Sequence, residues 1–338
     1  MKKVSSLLLM TVLLAACSLP LAPSQPATPA TSIPPTVTSL PTSPVTEVPV
    51  ATATAEVPAA TATAVVTVVP SATPLPAQDV FAVIGDFGSG DQFEADVATL
   101  VDSWKPDFVI TVGDDNYPSG AADTIDAHIG QFYHQYIYPY TGSYGAGADQ
   151  NRFFPTLGNH DWYTAGAKPY LDYFTLPGNE RYYDFVWGPV HFFALDSDEN
   201  EADGVSQSSV QAKWLQQAMA ASISRWNVVY FHHAPYTSGV LHGSTTWMRW
   251  PFAAWGASVV LTGHEHTYER LNVGGIPYFV DGLGGGGIYN FGPPLPESQV
   301  RYNSDHGAML VVASQTEMSF KFYNSKGTLI DSYQLTKP

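Results

Sequence analysis

Cysteine is almost absent from this chain of 338 residues. Cys17 is the only one, so no disulfide can form within a chain. Positive charge is scarce too: 14 Lys and Arg stand against 30 Asp and Glu, for a formal net charge of −16. An acidic surface repels polyanions, so no nucleic-acid binding through basic patches is expected. The apolar run at the N-terminus is too short and wrongly flanked for a membrane-spanning helix, which needs ~20 residues. Charged residues make up only 13% of the chain, while 45% are hydrophobic and 13% aromatic. That balance supports a sizeable core.

The first 17 residues, MKKVSSLLLMTVLLAAC, place two lysines before an apolar run and small residues before the cysteine. This is the pattern of a secretory signal. Its ending, LAAC, resembles the lipobox of bacterial lipoproteins. The resemblance implies that residues 1–17 are a lipoprotein signal and that Cys17 carries a lipid after cleavage. The protein would then be exported and membrane-anchored. The other reading is an ordinary signal cut nearby, with Cys17 incidental and the protein secreted. Losing Lys2 and Lys3 takes the charge from −16 to −18. Residues 18–78 are Pro, Thr, Ala, Ser and Val, with Glu47 and Glu56 as the charged ones. Frequent prolines remove backbone donors and favour extended chain, so this stretch reads as a disordered or semi-extended linker. The valines of residues 64–69 suit a strand but have no evident partner.

Composition changes at Asp79, where a single catalytic domain, 79–338, is expected to begin. DVFAVIGDFG is a short apolar run. QFEADVATLVDSW places Phe93, Val97, Leu100, Val101 and Trp104 on one helical face. KPDFVITVGDDNYP is a second apolar run, so strand, helix and strand form a parallel unit. A second helix, QSSVQAKWLQQAMA, precedes three more strand-like runs: RWNVVYFHHAPY, ASVVLTGHEHTYER and GIPYFVDGLGGGG. The C-terminus reads as antiparallel hairpins with a turn at Asn324–Gly327. The fold class is α/β, with mixed sheets covered by helices.

Ligands in such sheets bind beyond the carboxyl ends of strands. The runs end in residues of one chemical kind: Asp86, Asp114, the pair His232 and His233, and the pair His264 and His266. FFPTLGNHDWY adds Asn159, His160 and Asp161. Singly, each suits a turn cap or a structural histidine. Five clusters after five apolar segments point to one site with roughly seven or eight O and N ligands, more than the ~6 of one octahedral ion. With one shared carboxylate they suit two metal ions ~3.5–4 Å apart, the arrangement used for in-line phosphoryl displacement. Carboxylate, imidazole, amide and phenol without thiolate suit iron, zinc or manganese.

Gly85-Asp86-Phe87-Gly88, Gly113-Asp114-Asp115-Asn116-Tyr117, Gly158-Asn159-His160-Asp161, Val229-x-x-His232 and Gly263-His264-Glu265-His266 resemble, in order, the five motifs of purple acid phosphatases, members of the calcineurin-like metallophosphoesterases. The resemblance covers about residues 80–270, and HTYER and DGLGGGG fit it. It implies a four-layer α/β/β/α sandwich. It implies that Asp86, Tyr117 and His266 hold Fe(III), that Asn159, His232 and His264 hold a divalent ion (Fe, Zn or Mn), and that Asp114 bridges them. His160 would contact the substrate phosphate, and His242 would donate a proton to the leaving alcohol. A strict H-x-P reading would choose His233 over His232. The implied activity is acid phosphatase action on phosphate monoesters by attack of metal-bound hydroxide.

Competing readings are a phosphodiesterase or nucleotide hydrolase with the same centre, and a non-catalytic surface binding module. The diester enzymes of the family typically carry D-x-H in the first motif, where this chain has Gly88. Asp115 and Asp161 suit either ligand-orienting groups or exposed turn acids. Trp162 and Tyr163 suit either a pocket wall or packing. The glycines of GLGGGG lack a P-loop lysine and read as a tight path near the metals. The loop at 139–150 is expected to be flexible and to shape substrate choice. His128, His134, His191 and His306 read as structural or surface residues. For the N-terminus, Cys17→Ser is expected to move the protein from the membrane to the soluble fraction of cells. Undiminished membrane retention of the variant would argue against lipidation.

Overall fold

The computed structural model describes residues 78–337. The signal segment, Cys17, the linker up to residue 77 and the valine patch lie outside the described residues.

Thirteen strands among the described residues form two mixed sheets. The first sheet contains β1 (Asp79–Ile84), β2 (Phe108–Thr111), β3 (Phe153–Phe154), β11 (Gly307–Ala313), β12 (Glu317–Asn324) and β13 (Leu329–Thr336), in the order β13-β12-β11-β1-β2-β3. β1, β2 and β3 run parallel, and β11 to β13 run antiparallel beside them. The second sheet contains β4 (Tyr183–Trp187), β5 (Val190–Ala194), β6 (Trp226–His233), β7 (Val259–Gly263), β8 (Tyr268–Val273), β9 (Ile276–Asp281) and β10 (Ser298–Tyr302), in the order β10-β8-β9-β7-β6-β5-β4. Its four central strands, β9, β7, β6 and β5, are parallel.

The sheets face each other across an aromatic core. The Phe192 ring meets Phe81 at 5.1 Å and Phe108 at 5.3 Å, both edge-on, and Phe279 stacks on Phe320 at 5.0 Å. Side chains alternate between the two faces of a strand. Phe192, Val228 and Tyr230 therefore enter this core, while Phe193, Val229 and Phe231 pack on the other face with Ala212, Leu215 and Met219 of the helix Val210–Ala221. The helix Gln92–Trp104 covers the first sheet beside β11. The result is the four-layer α/β/β/α sandwich of mixed sheets.

The first helix begins where Asp91 Oδ1 accepts the N–H groups of Phe93 at 2.8 Å and Glu94 at 3.3 Å, a side-chain cap. Val97, Leu100 and Val101 are buried as their spacing predicts. Phe93 departs from that expectation: it is 53% exposed, because its ring stacks on His306 at 4.5 Å instead of entering the core. The run ASVVLTGHEHTYER divides into β7 and β8, because the chain reverses at His264–Thr267. The hairpin β12–β13 turns at Asn324–Gly327 as expected. Strands β4, β5 and β10 were not read from the sequence. Among the described residues no helix is long and apolar enough to cross a membrane.

Phe108 is fully buried and touches the rings of Phe81, Phe154, Phe185, Trp187 and Phe192. Phe108→Ala is expected to cost about 3–5 kcal/mol of stability, read by urea unfolding. A loss below about 1 kcal/mol would show that this cluster does not anchor the two sheets.

Candidate metal centre

The parallel strands of both sheets deliver the candidate residues at their carboxyl ends. Asp86 follows β1, Asp114 follows β2, Asn159 follows β3, His232 is the penultimate residue of β6, and His264 and His266 follow β7. Three of these sit in the left-handed region: Asp86 at φ 55°, Asp114 at φ 55° and His264 at φ 71°. That conformation is uncommon for residues with a side chain and concentrates at functional sites. It bends the chain sharply as it leaves the strand. A glycine precedes each one, and crowding explains it. A Cβ on Gly113 would meet the His232 ring, and one on Gly263 would meet Asp86 Oδ2.

The contacts fall into two groups that share Asp114. In the first, the Tyr117 hydroxyl lies 2.9 Å from His266 Nε2 and 3.4 Å from Asp86 Oδ1, and His266 Nε2 lies 3.3 Å from Asp86 Oδ1. In the second, His232 Nε2 lies 3.1 Å from Asn159 Oδ1 and 3.0 Å from His264 Nδ1. Asp114 Oδ2 joins them, at 3.0 Å from the Tyr117 hydroxyl and 3.4 Å from His232 Nε2. The neighbouring His233 turns away: its Nδ1 lies 2.9 Å from Ser197 Oγ.

The proton positions decide what this cluster can hold. His232 Nδ1 lies 2.9 Å from the Val112 carbonyl, and His266 Nδ1 lies 2.6 Å from the Gly287 carbonyl. A carbonyl only accepts, so each Nδ1 carries the hydrogen and each Nε2 presents a lone pair. That of His232 faces Asn159 Oδ1 and Asp114 Oδ2, and that of His266 faces Asp86 Oδ1, oxygens that also accept, as well as the Tyr117 hydroxyl. Acceptors turned toward one another, with the Tyr117 hydroxyl beside them, fit bound cations, and imidazoles anchored through the other nitrogen are typical of metal ligands. One atom each of Asp86, Asp114 and His232 lie within 4.8 Å of one another, and all three residues are buried.

The electrostatics show a demand for positive charge, which a proton on His232 Nε2 or a cation would meet at the same place. Burial alone would lower the His232 pKa, but Asp114 and Asp86 push it up to about 10. Burial, and then the charge of His232, push His264 far down and His233 down to about 3. Burial and the same two aspartates hold the Tyr117 hydroxyl well above its usual range. The carboxylates call for positive charge at the point where the lone pairs meet. No lysine or arginine forms an ion pair with Asp86 or Asp114 among the described residues.

Other buried groups hold the cluster in place. Asp161 is buried, and its Oδ2 accepts the N–H groups of Gly158 at 2.9 Å and Asp115 at 3.2 Å. It ties the loop after β3 to the loop after β2. Burial, and then Asp114, raise its pKa to about 7. Asp115 is buried as well and accepts a 2.6 Å hydrogen bond from Thr111 Oγ1. Neither acid is an exposed turn residue. Glu265 Oε1 accepts the backbone N–H groups of His242 and Gly243, each at 2.6 Å, and so pins the loop that sets the His242 ring 4.1 Å from His264. The glycines of GLGGGG do form a tight path: Gly286 donates to the Asp86 carbonyl at 2.7 Å and accepts from His306 Nε2 at 2.8 Å.

His160 lies at the rim. Its N–H donates to Asp114 Oδ1 at 2.9 Å and its Nδ1 lies 2.7 Å from the Pro118 carbonyl. Beside it Tyr163 is 63% exposed, while Trp162 is packing, with Nε1 donating to Asp196 at 3.0 Å. Tyr289, which no motif marks, stacks on His266 at 4.0 Å and 9°. The loop at 139–150 does not reach the site. Asp126 holds it, accepting from the Tyr140 hydroxyl at 2.7 Å and the Ser143 N–H at 2.8 Å. His134 and His191 are structural, bonded to Gly130 and Asp184.

The family model of the calcineurin-like phosphoesterases matches residues 80–268. This chain belongs to that family. Among its relatives, purple acid phosphatase 4 of Arabidopsis thaliana is 22% identical over 76% of this chain and 83% of its own length. Purple acid phosphatase 3 of the same plant is 22% identical over 76% and 77%. The purple acid phosphatase PPD1 from yellow lupin (Lupinus luteus) seeds shares the fold with a TM-score of 0.62 at 17% identity, over 78% of this chain and 54% of that one. GAP50, the anchor in the inner membrane complex of Plasmodium, has a TM-score of 0.60 at 17% identity, over 77% of this chain and 89% of that one. As a calcineurin-like phosphoesterase, the chain carries a dinuclear metal centre typical of its family as a candidate site. The structural likeness itself concerns the fold.

Asp161→Ala removes the acceptor of two backbone N–H groups next to Asn159 and Asp114. The variant is expected to retain metal about 10–100-fold less tightly than the parent, as for other orienting groups. Metal content after dialysis against graded chelator reads this directly. Equal retention would assign Asp161 to folding alone.

Proposed function

We propose that this protein is a dinuclear-metal phosphomonoesterase, an acid phosphatase exported to the cell surface or periplasmic face and tethered there through Cys17. The observation that carries the reading is the pair of acceptor clusters sharing Asp114. Asp86, Tyr117 and His266 would hold one ion, Fe(III), because a phenolate is a fitting partner for a hard trivalent cation. Asn159, His232 and His264 would hold a divalent ion, and Asp114 would touch both. Bound there, the ions supply positive charge for the phosphate oxygens and acidify water.

The chain's own residues supply the rest. His160, with Nδ1 committed to the Pro118 carbonyl, turns Nε2 toward Asp114 and the cleft, where the protonated ring can donate to a phosphate oxygen. His242 stands beside His264 on a loop fixed by Glu265, placed to protonate a departing alcohol. In the reaction water adds its oxygen to phosphorus, the ester P–O bond breaks, and the alcohol leaves with a proton.

Gly88 supports the monoesterase branch. A Cβ there would collide with the Asp115 carbonyl, so the histidine of D-x-H has no room, and Tyr117 stands in the shell instead. Purified protein is expected to hold two metals per chain and to hydrolyse an aryl phosphate monoester well above a diester. Fewer than two metals with no hydrolysis would sink the reading, and diester preference would move it to the phosphodiesterases. Tyr117→Phe is expected to bleach or shift a visible absorption band; an unchanged spectrum would place Tyr117 outside the metal shell.

A further inference from the structure

The open space beside the cluster is a cleft of about 330 Å³. Its walls include Ser89, Asp91, Tyr117, His160, His266 and Tyr289, and none of its lining residues is a lysine or arginine. Two features of this wall bear on the leaving group.

The first is aromatic. Tyr289 is half-buried and held on the cleft by its stacking on His266 and by its N–H, which donates to the His266 carbonyl at 3.0 Å. The ring lies 5.7 Å from His242, the residue proposed to protonate the leaving oxygen. On the other side Tyr163 lies 4.7 Å from the His160 ring and its hydroxyl accepts from Asn159 Nδ2 at 3.1 Å. It is 63% exposed, so burial in the core does not account for its position. A leaving group next to the phosphate therefore meets tyrosine faces, which favour a flat ring by offset or edge-on packing.

The second is charge. Asp91 is exposed on the cleft, and the histidines there are the protein's own possible cations. A substrate with a second or third phosphate would bring its extra charge against a carboxylate with no guanidinium or ammonium to receive it. The chain's net charge of −16 works in the same direction.

We infer that the cleft is an aryl subsite that selects monophosphate esters of flat, uncharged aromatic alcohols and discriminates against polyphosphates, with Tyr289 as its wall and Tyr163 beside His160 at its rim. This rests on the phosphatase reading above.

Aryl esters are intrinsically more reactive than alkyl esters, so a bare rate preference proves nothing. The test uses the change on mutation, and binding without turnover. The full chain and its Tyr289→Leu, Tyr289→Phe and Tyr163→Leu variants are compared for kcat/KM on phenyl phosphate, ethyl phosphate and ATP. Calorimetry follows the binding of phenylphosphonate and ethylphosphonate. Tyr289→Leu is expected to lower the phenyl-to-ethyl ratio about tenfold in both assays, about 1.4 kcal/mol, and Tyr163→Leu about threefold. Tyr289→Phe keeps the ring and is expected to keep the ratio, which separates loss of the wall from misfolding. ATP is expected to react at least about tenfold less efficiently than phenyl phosphate. Ratios unmoved in both leucine variants would overturn the subsite, and ATP matching phenyl phosphate would overturn the charge selection. Preferential phenylphosphonate binding without ester hydrolysis would support the subsite while removing the phosphatase reading. Hydrolysis of both esters with unmoved ratios would do the reverse.

Discussion

Asp114 is the point on which the two halves of the molecule meet. One of its oxygens accepts the His160 N–H and the other faces Tyr117 and His232. Tyr117 follows β2 in the first sheet, His232 lies on β6 in the second, and His160 follows β3. Packed sheets stand about 10 Å apart, so strands alone could not bring these groups within hydrogen-bonding distance. The left-handed turns at Asp86, Asp114 and His264 close that gap. The core of stacked phenylalanines fixes the spacing of the sheets and thereby the distance those turns must cover. Backbone strain at the site and close packing in the core are parts of one geometry.

The acids around Asp114 are managed in different ways. Buried carboxylates without partners are costly. Asp161 and Glu265 each accept two backbone N–H groups, and Asp115 accepts a hydroxyl. Asp281, at the end of β9, has no partner on either oxygen, and burial, with Asp86 beside it, raises its pKa well above the carboxylate range. Asp86 and Asp114 also accept backbone N–H groups, from His264 and His160, but each turns an oxygen toward an imidazole Nε2 as well. Both carboxylates converge on one place, where a cation would serve them.

The sequence made the strand-end residues legible because their chemistry restricts them: few side chains can hold a metal, and they must follow buried runs. It leaves the two adjacent histidines to a choice between the V-x-x-H and H-x-P patterns, and β6 turns their rings to different partners. Other features depend on contacts between distant segments. Tyr289 meets His266 only because the glycine loop folds back on Asp86. Phe93 had the right helical spacing but is drawn to His306, far along the chain. The loop at 139–150 looked mobile by composition, yet one carboxylate, Asp126, gathers its polar groups. Glu265 had a signal, an acid between two candidate ligands, whose meaning lay in the backbone of the distant loop at His242 and Gly243. Strands β4 and β5 carry no chemistry to mark them and close one edge of the second sheet.

The pairing of Gly88 with Asp115 shows how such contacts decide chemistry. The Asp115 carbonyl fills the space that any side chain at position 88 would need, and the Tyr117 N–H donates to the Gly88 carbonyl at 2.7 Å. The loops after β1 and β2 are clasped through their backbones. A histidine at position 88 would force them apart and carry Asp86 and Asp114 with them. The clasp is possible only with glycine on one side, and it brings Tyr117 to the cluster from the other. Asp115 thus matters through its backbone as much as through its carboxyl group. Its side chain is held by Thr111 inside the protein, which keeps the carbonyl against Gly88 and the phenol over Asp114. Which residue type reaches the cluster is therefore settled by a steric contact between two residues that lie outside it.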